Sequence, residues 1–137
     1  MSKQVQLQRN WLRFMYIYTI AVAGSFGLAI LVTPALVVSR LGFPAQDPIM
    51  FGVTGSVYLA FAFLSILGLR APLKFAPILL LQLLYKLIWF IGLAAPLFLQ
   101  GRYPSSAIPS AVIYASFVLG DFIAIPFRYL LAKEAVA

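Results

Sequence analysis

The sequence predicts an all-α integral membrane protein, an up-down bundle of four transmembrane helices with both termini cytoplasmic. Three features point there: a composition too apolar for water, four long runs almost free of charge, and basic residues gathered at alternate ends of those runs. Of 137 residues, 64% are apolar and 9% charged, where a soluble domain carries about 25% charged residues. With a mean hydropathy of +1.02, the chain has too few polar side chains to cover itself in water. That excludes a soluble enzyme and a disordered tail. The net charge of +7 does not make a nucleic-acid binder, because no Lys/Arg cluster is long enough to track phosphates.

The runs define the elements. Between Arg13 and Arg40 lie 26 uncharged residues, and between Asp47 and Arg70 lie 22. The 27 residues between Lys74 and Arg102 are broken only by Lys86, and the 25 between Arg102 and Arg128 only by Asp121. A spanning helix needs roughly 20 mainly apolar residues, so the predicted spans lie near 13–37, 48–69, 74–98 and 108–131. In hydrocarbon the backbone must satisfy its own hydrogen bonds, which selects helices or closed barrels. Runs such as Ile78-Leu79-Leu80-Leu81 lack the alternation of a barrel strand. The first span is too long for a signal peptide and is kept in the mature protein.

The connections are short. Pro34, Gly42, Pro44 and Pro48 punctuate the first, where 35–41 is a candidate interfacial helix; Gly68 to Pro72 makes the second, and Gly101 to Pro109 the third. Short loops make sequential helices antiparallel neighbours, within one membrane domain over 1–137. The N-terminus (Lys3, Arg9, Arg13), the second loop (Arg70, Lys74) and the C-terminus (Arg128, Lys133) hold seven basic residues, while the first and third loops hold only Arg40 and Arg102. The positive-inside bias therefore puts both termini in the cytoplasm. Trp11, Tyr16, Tyr103 and Tyr129 sit near span ends, where aromatic anchors are expected.

The chain has no Cys and no His. Disulfides, thiolate and imidazole metal ligands, Cys nucleophiles and His bases are excluded together. Three acids, Asp47, Asp121 and Glu134, cannot build a carboxylate metal cage. No metal or cofactor is expected. A bound lipid or quinone is compatible with the many aromatic residues.

Two charges interrupt the spans. A charge at the bilayer centre costs at least about 2.5–3.5 kcal/mol, so such residues face a partner or a cavity. Lys86 lies at the centre of the third span, and Asp121 lies within about two residues of the centre of the fourth. Antiparallel helices then hold the two at depths about 3 Å apart, the pattern of an intramembrane ion pair. Gln82, Lys86 and Trp89 share one face of the third helix; Tyr114, Asp121 and Arg128 share one face of the fourth, with Phe117 between. On the second helix Thr54, Tyr58 and Ser65 line one side. Tyr58, Lys86 and Asp121, with Gln82 and Tyr114, are thus the candidate binding or relay residues; no catalytic residue is assigned. Such a pair fixes helix register, serves as a relay or transport site, anchors a ligand, or docks a larger complex. The small-xxx-small patterns Ala23-xxx-Gly27 and Gly52-xxx-Ser56-xxx-Ala60 suit close helix packing or dimerisation.

The segment from Gly55 to Trp89, with its Leu-Gly-Leu-Arg ending and tight turn into another apolar helix, resembles the DoxX-like small four-helix bacterial membrane proteins. The likeness covers about a quarter of the chain. It implies a bacterial inner-membrane location and, for some relatives, company with redox enzymes; it supplies no catalytic motif. Small multidrug-resistance transporters differ in carrying an acid in their first span, where Phe14 to Val38 holds no charge.

The expected function is that of a non-enzymatic subunit, assembly factor or scaffold, with the bilayer and other membrane subunits or further copies of the chain as partners, and no nucleic acid. The alternatives are a small oligomeric transporter or channel using Lys86 and Asp121, and a lipid-like ligand binder or isomerase.

Overall fold

The computed structural model describes residues 2–134, which are all-α with no strand among them. The helices are α1 (Lys3–Val32), α2 (Pro34–Leu41), α3 (Pro48–Arg70), α4 (Pro72–Leu99), α5 (Ser105–Ala124) and α6 (Phe127–Leu130). Of these α1, α3, α4 and α5 are long and apolar enough to cross a membrane. The anticipated short helix between the first two spans is present as α2.

Local chemistry explains the boundaries. The Ser2 hydroxyl accepts from the Val5 amide at 3.4 Å and caps α1; Asp47 accepts from the Met50 amide at 2.8 Å and caps α3, with Pro48 in its first turn. Gly42, at φ 66°, closes α2 in the left-handed conformation that a residue without Cβ adopts freely. Three boundaries differ from expectation. The first span ends at Val32 rather than 37, because Thr33, before Pro34, leaves the helix at φ −134°, ψ 57°. The first helix begins at Lys3 rather than near 13, because Arg9 and Arg13 end the apolar run without ending the helix. The fourth stops at Ala124 rather than 131: Ile125 precedes Pro126 and is extended at φ −71°, ψ 126°. Gln8 from α1 donates its amide to the Ala124 carbonyl and, at 3.5 Å, to that of Ile123, meeting acceptors that the end of α5 leaves open.

The contacts run antiparallel between α1 and α3, α1 and α5, and α4 and α5. A Cβ on Gly27 would lie 2.7 Å from the Gly55 carbonyl oxygen and 2.9 Å from the Leu59 nitrogen, so the backbones of α1 and α3 touch here. Farther along the same pair, the Tyr16 ring covers Gly68 and its hydroxyl donates to the Pro72 carbonyl at 2.7 Å. Met15 packs onto Gly120 of α5. The Ala23-xxx-Gly27 pattern therefore works inside the bundle, whereas Ser56 and Ala60 are exposed and Gly52 has open space beside it. Tyr16, expected as an interfacial anchor, is fully buried.

Packing is uneven along the bundle. At the end bearing both termini, Leu12, Met15, Tyr16, Leu79, Leu83 and Phe117 form one core shared by α1, α4 and α5. Toward the other end, α1, α2 and α3 form a small core of Ile30, Val37 and Phe51. There the outer half of α5 buries nothing before Phe117, and of α4 beyond Lys86 only Ala94 is buried. Both α1 and α4 pass through a π-helical turn at about this level, Ile20–Gly24 and Phe90–Ala94. In α4 the Ala95 amide bonds back to Phe90, just before Pro96, which has no N–H to continue the ladder. In α1 the Ser25 hydroxyl bonds back to the Ala21 carbonyl across the wide turn.

Candidate functional site

The level at which tight packing gives way to splayed helices is where the polar residues collect. Lys86, Gln82, Asp121 and Thr19 are among the few buried polar side chains, with at most 2% of their surface exposed. They form two adjacent groups.

The first is a chain of amide, hydroxyl and carboxylate. Thr19 donates to the Met15 carbonyl at 2.8 Å and meets the Gln82 side chain at 3.3 Å. Gln82 donates to the Asp121 carboxylate, at 3.2 and 3.5 Å to its two oxygens. The spacing places these partners: Gln82 and Leu79 share the inner face of α4, while Phe117, Asp121 and Ala124 share that of α5.

The second group surrounds the ammonium. Lys86 Nζ donates to the Tyr85 hydroxyl at 2.7 Å. It lies 4.3 Å from the ring centres of Tyr85 and Phe117 and 5.1 Å from that of Tyr114, inside the range where a cation is drawn to a ring face. Tyr58 from α3 hydrogen-bonds the Tyr114 hydroxyl. Trp89 stands edge-on to Tyr114 at 5.0 Å, and Phe61 packs on Tyr85 at 5.5 Å. The box thus draws on three helices.

Lys86 and Asp121 lie near each other but about one helical turn apart, Gln82 meeting Asp121 and Phe117 meeting Lys86, and the expected direct pair is not formed. No ammonium–carboxylate contact within 4.0 Å joins them, and each takes a neutral partner instead: Tyr85 for the lysine, Gln82 for the aspartate. Tyr58 reaches the cluster through Tyr114 and not through Lys86. Ser65 is buried without a hydrogen-bond partner, away from the named contacts of the cluster. Arg128, placed with Tyr114 and Asp121 by periodicity, is exposed beyond the end of α5.

Tyr85, Phe117 and Thr19 complete the site and were not among the candidates. Tyr85 immediately precedes Lys86, and successive residues on a helix point about 100° apart, so a search by shared face omits it. The box brings Tyr85 in because the lysine side chain folds back over the ring of its neighbour. Thr19 carried only a weak signal, one of several hydroxyls in the uncharged run between Arg13 and Arg40.

Above Lys86 the splayed helices leave a cavity of about 490 Å³, lined by Val22, Phe26, Tyr58, Tyr85, Lys86 and Tyr114 among others. This falls within the usual size of small-molecule pockets, about 300–1,000 Å³. Ala21 and Ser25 of α1 and Ile113 of α5 form its rim and are exposed, so it opens sideways between those two helices. Asp121 is not on its wall and is fully buried, one turn beyond Phe117 on α5. A second cleft of about 600 Å³ separates the outer halves of α4 and α5 and is almost wholly apolar, between Phe90, Ala94 and Phe98 on one side and Ile108, Val112 and Ala115 on the other.

No protein-family model matches the chain, no curated protein resembles it significantly, and no solved structure does so either. None of these comparisons supports the resemblance of residues 55–89 to DoxX-like proteins.

Proposed function

We propose that the chain is a multi-pass protein of a bacterial inner membrane, termini in the cytoplasm, that binds a lipid-like amphiphile in the cavity between α1 and α5. The observation that carries this reading is the cavity itself. Its walls are apolar and aromatic, it opens toward where acyl chains would lie, and a single buried amine with tyrosine hydroxyls stands at its closed end. Apolar walls with a few convergent polar groups are the usual form of a ligand site.

A transport pathway has less support. Toward the termini the cavity ends on Phe117, with Leu83, Leu79 and Tyr16 packed beyond, so the ligand would be held rather than passed through. A role as a subunit or scaffold is favoured by a different observation, the outward-facing Gly52, Ser56 and Ala60 on α3, where a neighbouring helix could approach closely. The two readings are separable. Gentle purification followed by native mass spectrometry is expected to show a small apolar molecule bound one per chain. Stoichiometric polypeptide partners with no small molecule would replace the binder by the subunit reading.

A further inference from the structure

We infer that the cavity selects a single-chain molecule ending in a carboxylate, of the fatty-acid class; this rests on the amphiphile-binding reading and names its ligand. The wall is rich in donors. An ammonium has three N–H groups and no acceptor, and Lys86 places one of them on Tyr85. The other two have no oxygen or nitrogen acceptor among the described residues, only the faces of Tyr114 and Phe117, although the side chain is 2% exposed. The Tyr85 hydroxyl meets it, and Tyr58 and Tyr114, whose hydroxyls are bonded to each other, line the same cavity. The one nearby carboxylate, Asp121, is withdrawn beneath the wall and engaged by Gln82. A cationic head would therefore meet an ammonium, and a head made of donors would find few acceptors. A carboxylate offers only acceptors, two oxygens with about four lone-pair sites.

Depth chooses among anions. Lys86 is 14 residues from the start of α4 and 13 from its end, about 20 Å from either at 1.5 Å per residue. A phospholipid head brought there would set a large polar group against hydrocarbon on the open side. A carboxylate is small enough for Lys86 and the tyrosines to enclose, and its chain can leave through the gap between α1 and α5.

Trp11 and Trp89 are the two tryptophans, so Trp11→Phe leaves Trp89, beside Tyr114, as the reporter. In lipid nanodiscs, its emission is titrated with a brominated octadecanoate and, separately, with the methyl ester of that acid. The acid is expected to quench saturably and at least about tenfold more tightly than the ester, the minimum for hydrogen bonds to a charged group. Equal saturable quenching by both would overturn the carboxylate assignment and leave amphiphile binding standing. If neither quenches saturably, both fall. Lys86→Met should erase the preference for acid over ester, and Lys86→Arg should keep it; a preference that survives Lys86→Met counts against the inference. Should Lys86→Met fail to fold, the comparison of acid with ester in the Lys86 protein still decides.

Discussion

Gly27→Ala and Gly52→Ala are the same chemical change with opposite expected effects. An added Cβ at Gly27 would stand 2.7 Å from the Gly55 oxygen, short by about 0.7 Å of the 3.4 Å at which ordinary contact begins, and 2.9 Å from the Leu59 nitrogen. Both are backbone atoms, so no rotamer change relieves the clash and the two helices must separate. At Gly52 nothing lies within 4 Å. Replacing a helical glycine by alanine returns about 0.5–1 kcal/mol at either position, and overpacking costs about 1–3 kcal/mol. The difference between the variants cancels the first contribution and isolates the second; the backbone clash puts it near the upper end, about 2–3 kcal/mol. Reversible unfolding in mixed micelles, followed by far-ultraviolet circular dichroism, measures both. Gly52→Ala should equal or exceed the parent in stability and Gly27→Ala should fall well below it. Variants that agree within about 0.5 kcal/mol would refute the close approach of α1 and α3.

Three further outcomes follow from the same contacts. Tyr16→Phe removes the bond to the Pro72 carbonyl but leaves the ring on Gly68, and that carbonyl keeps its place in the first turn of α4; the loss should be about 0.5–1.5 kcal/mol in the same unfolding assay. In a double-mutant cycle, Lys86→Met and Asp121→Asn should couple by about 0.5–3 kcal/mol, the double change costing less than the two single losses together; additive losses would mean that the charges ignore each other. The chain has no native Cys, so Gln46→Cys and Ala71→Cys give single probes in loops at opposite ends of the bundle. In intact cells an impermeant maleimide should label the first and spare the second, and the reverse pattern would invert the proposed orientation.

The four long helices were legible because charge is so scarce that its positions delimit them, and Pro48 and Asp47 mark the start of α3 in the sequence as they do in space. Ends governed by tertiary contacts were less accessible. Nothing local says that α1 should continue back to Lys3; what rewards it is Gln8 reaching carbonyls at the far end of the chain. Pro126 did carry the signal for the end of α5, since the residue before a proline leaves the helix, but the apolar residues on both sides of Arg128 masked it. In the site, Lys86, Asp121, Gln82, Tyr58 and Tyr114 were identified because polar groups in an apolar run are conspicuous. Their pairing was not readable. Span centres put Lys86 and Asp121 within about two residues of one level, yet the helices meet with Gln82 facing Asp121 and Phe117 facing Lys86, so the ammonium turns to Tyr85 and the carboxylate to Gln82. The cavity was invisible for a related reason: it arises from where α5 fails to pack, and an unfilled gap has no residue of its own.

The central claim is that an amphiphile occupies the space above Lys86, and an experimental structure of the protein crystallised from a lipidic phase tests it most directly. The account predicts elongated density that begins at Lys86 Nζ, passes Tyr85 and Tyr114, and leaves between Ser25 and Ile113. Helices α1 and α5 closed against each other along that line, with Phe26 and Tyr114 filling the gap, would contradict it.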